Sequence, residues 1–375
     1  MKSPLSPEIK KTSSPQRYEG LDALRGLSAF GVVWLHTFQS GSTPGSVSEV
    51  SITWLKLRDF SLPLIVMSSF FVLTISMLRK PESKFSSFFT TRFKRLWVPL
   101  FIWTSIYCLM WAFVMPKIFG WNHFYEIPSI EVFISDVFIS GYMHLWFLQF
   151  IFLGSLIVYP LLRWLKSKSE PEIIRISILL FLAAAVYAII FQLLIQPAHQ
   201  SLYLSKMSHS LKLFIVQASK YAFFIPVAIG LGLLSNKINS LYKLTVFRIC
   251  SLIAVLFTLI VHLTRTNSLT AIMYGIAVFM AALQPWKRIP FRLVYISAAY
   301  SYGIYILHFF LCEALLVIVY RGKHQFDNAA IFSISVLFYV ISFGAAVLFR
   351  KIIPVDWFIP LVPIKLNRSE KNDKP

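Results

Sequence analysis

The chain has 375 residues, of which 57% are hydrophobic and only 14% charged, well below the roughly 25% charged residues of a soluble globular domain. Its mean hydropathy is +0.68, and apolar stretches of about 20 residues, each long enough to cross a bilayer, recur from end to end. These values exclude a large soluble core, and the net charge of +20 does not indicate nucleic acid, because the basic residues are sorted as membrane topology sorts them.

In chain order, the opening segment MKSPLSPEIKKTSSPQRYEG has no apolar core of the signal-peptide kind, so the first helix is expected to act as its own signal-anchor. Apolar spans follow at 22–40, 60–78, 97–116, 144–162, 176–195, 213–234, 249–264, 269–285, 294–317 and 329–349. The expected fold class is therefore all-α: a polytopic helix bundle of about ten transmembrane helices. It forms one membrane domain, 21–350, between an N-terminal tail, 1–20, and a C-terminal tail, 351–375.

With the N-terminus in the cytoplasm, 26 of the 36 Lys and Arg fall in cytoplasmic segments and eight in outer loops. That asymmetry puts both termini inside. Only Arg25 and Lys220 remain as intramembrane cations. Cys108, Cys250 and Cys312 sit in or beside apolar spans without a C-x-x-C pair, so neither a disulfide nor a metal site is expected.

An ionisable side chain within a span is costly unless it faces a polar interior, and it marks function by default. The first span carries Arg25 and His36, eleven residues apart. That is about three turns, so both project from one helix face about 16 Å apart. His308 in the ninth span and Lys220 in the sixth reach a similar depth in the outer half of the membrane, where one polar chamber would hold all three with His36. The structural alternatives are a packing histidine, a lysine snorkelling outward, and Arg25 held in the headgroup zone by Asp22 at i,i+3. At the cytoplasmic start of the third helix, Arg92 and Arg95 in FFTTRFKRLWVP stand at i,i+3, on one side of that helix. Their guanidinium forks suit phosphate oxygens, and the plainer reading is a positive-inside stop. His144 and His262 lie at helix ends, and aromatic residues such as those of HLWFLQF usually form an interfacial belt.

Together these segments resemble acyltransferase family 3, membrane proteins that move acyl groups on to sugars of bacterial surface glycans. The family's R-x10-H motif, in an L-D-x-L-R-G context, matches Leu21 to Gly26 with Arg25, ending at His36. Its R-x-x-R matches Arg92 and Arg95, and its H-L-W-F-L matches His144 to Leu148, including Trp146. Its S-Y-x-x-Y-x-x-H matches Ser301, Tyr302, Tyr305 and His308. Where the family has F-F-x-x-S-G, this chain has Phe70, Phe71, Thr74 and Ile75, and the loss of the glycine removes a close helix approach.

The resemblance implies an integral O-acyltransferase of the bacterial inner (plasma) membrane with acetyl-CoA or another acyl-CoA as donor and no metal. The acceptor it implies is a polysaccharide or lipid-linked glycan such as an exopolysaccharide, a capsule or a lipopolysaccharide O-antigen. Arg92 and Arg95 would hold the CoA phosphates, with Arg25 lining the inner end of the path. His36 would serve as general base or transient acyl carrier. His308 or Tyr305 would orient it, and Lys220 would steady the thioester oxyanion. Two other classes compete. A proton-coupled transporter or flippase also uses intramembrane Arg, His and Lys, but inverted repeats and broken helices are not evident. A structural scaffold gives no reason for Arg25 and His36 to share a face.

Overall fold

In the computed structural model, the residues described are 18–41, 55–79, 84–114, 143–195, 209–265, 267–286, 292–322 and 326–353, with 53, 117, 134 and 138 singly. Among them every regular element is helical, as lipid requires of a chain that must satisfy its own backbone hydrogen bonds. The expected tails lie almost wholly outside these residues.

Two helices form the centre. In α1 (Glu19–Gly41) the buried side is built from small residues, Gly20, Ala23, Gly26, Ser28, Ala29 and Gly31 among them, which lets neighbouring backbones approach closely. α2 (Ser61–Arg79) is apolar on all sides and buries residues all round, including Leu64, Met67, Phe70 and Phe71. Beyond it come α3 (Phe85–Arg92), a π-helical turn (Phe93–Trp97) and α4 (Val98–Leu109). α5 (Trp146–Leu165) is entered through a 3-10 turn, Met143–Leu145, and α6 (Glu170–Ile190) starts at a Ser169–Glu172 capping box. Next are α7 (His209–Ala222), α8 (Phe224–Leu233), α9 (Ser235–Leu241), α10 (Thr245–Thr264) and α11 (Ser268–Ala282). The last three are α12 (Arg292–Ala299), α13 (Ser301–Gly322) and α14 (Asn328–Ile352). α1 packs against α2, α11, α12, α13 and α14, and α2 packs against α1, α5, α8 and α11. α6, α10 and α14 are largely exposed apolar helices at the periphery, as lipid-facing surfaces should be.

Helices occupy all ten stretches that hydropathy singles out. Six helical segments among the described residues are long and apolar enough to cross a membrane: Ser61–Arg79, Trp146–Leu165, Glu170–Leu193, Leu211–Leu233, Thr245–Thr264 and Asn328–Ile352. The chain is thus a multi-pass membrane protein. The cytoplasmic placement of both termini is checked by a reporter fused after Pro375: one active only in the cytoplasm is expected, and activity only in the periplasm would overturn it.

Close helix approach survives at the position where Ile75 replaces a glycine, because the facing helix supplies one. A Cβ on Gly232 of α8 would stand 2.8 Å from the Thr74 Cβ. α2 is met the same way on other sides, by Gly154 of α5 against Phe70, Gly275 of α11 against Pro63, and Gly31 of α1 against Ser61. Gly232→Val is accordingly expected to destabilise by about 1–3 kcal/mol, the usual cost of overpacking a close contact. Thermal unfolding in detergent checks this, with Gly344→Val, where nothing lies within 4 Å, as the control.

Candidate functional site

Three histidines from three parts of the chain converge. His36 on α1, His144 in the 3-10 turn before α5 and His308 on α13 have ring centroids 5.3 Å (His36–His308), 5.5 Å (His144–His308) and 6.2 Å (His36–His144) apart. Phe309 closes one side, stacking on His144 at 4.2 Å and meeting the edge of His36 at 5.4 Å. Tyr107 of α4 lies edge-on to His144 at 5.1 Å, and its hydroxyl donates to the Ile306 carbonyl at 2.7 Å, tying α4 to α13 beside the cluster.

The hydrogen bonding of these rings separates them from a packing histidine. His262, 1% exposed, shows the packing case: Nε2 meets the Asp59 carboxylate and Nδ1 the Thr270 hydroxyl, each at 3.0 Å. His144, 2% exposed, has no hydrogen bond of normal geometry at either ring nitrogen among the described residues. His308 is fully buried. Its Nδ1 faces the Ile304 carbonyl at 3.1 Å, while Nε2 has no partner. A carbonyl only accepts, so Nδ1 carries the proton in the neutral ring, and Nε2 presents its lone pair to the cluster. Buried unsatisfied nitrogens are costly, and three of them at one point mark a place where a substrate atom or water completes the bonding. His36 is the partly exposed member of the three.

Arg25 lies nearer the start of α1, where Nη1 pairs with Asp22 at 3.7 Å and Nε donates to the Ser68 hydroxyl of α2 at 3.3 Å. Arg92 reaches over the Phe88 ring at 5.7 Å and lies within electrostatic range of Tyr302. The Tyr302 hydroxyl is buried without a partner. From Tyr302 the motif steps along α13 through Tyr305 to His308, a rise of about 9 Å, so that one helix joins the Arg92 level to the histidines.

Several expected positions need correction. Arg92 and Arg95 differ in exposure: Arg92 is half-buried and Arg95 exposed. The cause is Pro99, which has no N–H and crowds the carbonyl of Arg95 one turn back. The helix widens there, with the Val98 N–H donating to Phe93, five residues back. Tyr305 does not hold His36; its hydroxyl donates to the backbone carbonyl of His144, and so places that ring instead. Lys220 makes no contact with the three rings among the described residues. It is exposed, sits 5.6 Å from the Tyr221 ring, and lines a separate small cavity with Arg58 and Asp59. Trp146 stacks on Tyr221 at 5.8 Å and serves packing between α5 and α7. Sequence reading placed His144 at a helix end and in the H-L-W-F-L match without giving it a site role, and it did not single out Glu313. Glu313, five residues beyond His308, is 4% exposed with one carboxyl oxygen unpartnered, and a carboxyl within an apolar run was its available signal. Among the described residues no group of three His, Cys, Asp or Glu has an arrangement that would hold a metal ion.

Against known families, residues 18–351 match Acyl_transf_3, described as an acyltransferase domain, a span that covers nearly all of the described helices. No curated protein and no solved structure matches the chain.

Proposed function

The chain belongs to acyltransferase family 3, and from that premise we propose an integral O-acyltransferase of the bacterial inner membrane that moves the acyl group of cytoplasmic acyl-CoA, acetyl-CoA foremost, on to hydroxyls of a cell-surface or exported polysaccharide. The observation that carries the reading is the triple-histidine cluster, with unpartnered nitrogens on His144 and His308 and His36 as its accessible member. Acyl transfer to a hydroxyl needs such a proton acceptor where no bulk water intrudes.

The steps follow from positions along the bundle. The donor's phosphates bind at the basic end, chiefly to Arg92, with Tyr302 as an additional donor. The thin pantetheine arm runs beside α13 towards the histidines, past Arg25. At His36 the acceptor hydroxyl loses its proton to the ring nitrogen as its oxygen attacks the thioester carbonyl. The carbon–sulfur bond breaks, and the proton passes to the departing thiolate, leaving ester and free CoA with no net proton change. In the covalent variant, the His36 nitrogen takes the acyl group first and the hydroxyl then removes it. His308, with its tautomer set by Ile304, and His144, anchored by Tyr305, stabilise the charged His36 ring by accepting or relaying hydrogen bonds.

The test is transfer of label from radioactive acetyl-CoA to host polysaccharide by the purified protein in liposomes, alongside ester content of the surface polysaccharide with and without the gene. Label in ester linkage that is lost with the gene is expected; unchanged ester content and no transfer would overturn the reading. Incubation with donor alone separates the two routes, since only the covalent one leaves an acylated protein.

A further inference from the structure

A cavity lies away from the histidines, at the basic end of the bundle between the ends of α2, α5 and α8 and the start of α6. It has a volume of about 640 Å³. Three of its lining side chains are cations, Arg79, Arg163 and Lys166, and none is acidic. At the start of α6, Glu172 pairs with Lys168 at 3.1 Å and Glu170 with Lys237 at 3.0 Å. Arg79 and Arg163 have no ion-pair partner among the described residues. An unneutralised guanidinium pair at the mouth of a cavity calls for an anion, and guanidinium forks favour phosphate oxygens.

The walls decide which kind of phosphate. Below the cations they are aliphatic, made by Ile75, Leu78, Leu165, Ile173 and Leu233, and no lining residue is aromatic. Nothing there would stack a nucleobase. Ile173 of α6 belongs to one wall, and further along the same helix Ile178, Leu179 and Leu182 are each more than half exposed, an apolar surface suited to lipid tails. Ser167 and Asn236 add neutral hydrogen-bonding groups at the rim, suited to glycerol hydroxyls. A basic pocket between helix ends, with aliphatic walls, has the chemistry of an anionic headgroup site.

We propose that this cavity binds the phosphate headgroup of an anionic glycerophospholipid of the cytoplasmic leaflet, with its upper acyl carbons against Leu78, Leu165 and Leu233. The site is separate from Arg92 and Arg95, and it pins α2 and α5, the two helices that carry Ser68 and the His144 turn at their far reaches. It does not depend on the catalytic reading, since lipid binding is measured without turnover.

The experiment uses the full chain in a neutral detergent, with the unfolding midpoint read after adding dioleoyl phosphatidylglycerol, dioleoyl phosphatidylcholine or 3′,5′-ADP. Phosphatidylglycerol well above its Kd is expected to raise the midpoint by about 5 °C over phosphatidylcholine. The gain should vanish in Arg79→Gln/Arg163→Gln and persist in Arg92→Gln/Arg95→Gln. Any protection by 3′,5′-ADP should show the opposite dependence. If the double variant does not fold, Arg163→Gln alone is compared, with roughly half the gain expected. Equal effects of the two lipids, or a gain that survives loss of both Arg79 and Arg163, overturns the proposal. So does protection by 3′,5′-ADP that requires Arg79 and Arg163, which would make the cavity a nucleotide site.

Discussion

His36→Ala is expected to lower acyl transfer by about 10²–10⁴-fold, the contribution of a positioned base, while protein level and unfolding midpoint stay near wild type. The midpoint should hold because His36 is only partly buried. His144→Ala and His308→Ala behave differently. Both rings are enclosed and stack on or abut Phe309, so each substitution opens a cavity and costs stability as well as rate. The measurement is single-turnover transfer by folded, size-selected protein. Activity of His36→Ala within about tenfold of wild type would be too small a loss for an essential base and would remove it from that role. A pure packing histidine would instead lose activity only in proportion to the protein that unfolds.

The second large effect concerns the donor. Arg92→Ala is expected to raise the Kd for acetyl-CoA by about 10–100-fold, the range for one charge-assisted hydrogen bond to a phosphate in a partly buried setting. Arg95→Ala should cost less, because the π turn leaves Arg95 exposed and water screens its contact. Equilibrium binding of labelled acetyl-CoA in detergent measures both. Equal losses would mean the arginines act together on one phosphate, and no loss in either would return them to a topological role. A Pro99→Ala chain gives a further check. Restoring the N–H of residue 99 permits regular i→i−4 bonding, and Arg95 should then rotate towards Arg92 and gain weight in binding.

Much of the fold was legible because a lipid-embedded helix must be apolar over a length set by the bilayer. Each of the ten apolar stretches does hold a helix, and Asn267 caps α11 through Thr270 at the tight junction the sequence shows there. The site was legible along each helix but not around it. Spacing put Arg25 and His36 on one face, and equal depth brought His308 to the level of His36. Equal depth says nothing about direction, however, and Lys220 at a similar height faces Arg58 and Asp59 instead. His144 was missed because it stands at a helix end, where a histidine commonly meets headgroups; only the packing of α1 on α13, and the Tyr305 tether between distant segments, turns it inward. The difference in exposure between Arg92 and Arg95 had a readable local signal, since Pro99 is four residues beyond Arg95 and disturbs that carbonyl.

The glycine contacts around α2 bear on how a cargo moves. Glycines of four neighbouring helices seat α2 side chains with no room for a Cβ, Gly232 against Thr74, Gly154 against Phe70, Gly275 against Pro63 and Gly31 against Ser61, so tilting α2 would drive these side chains into the facing glycines and open voids on the other side. A carrier that alternates its access by rocking two halves needs a sliding or hinged seam through its middle, and here the middle is the tightest part. On the proposed acyltransferase reading, the acyl group would pass by the swing of its own flexible tether through a stationary frame, with thioester cleavage rather than any tilt of the bundle making the passage one-way.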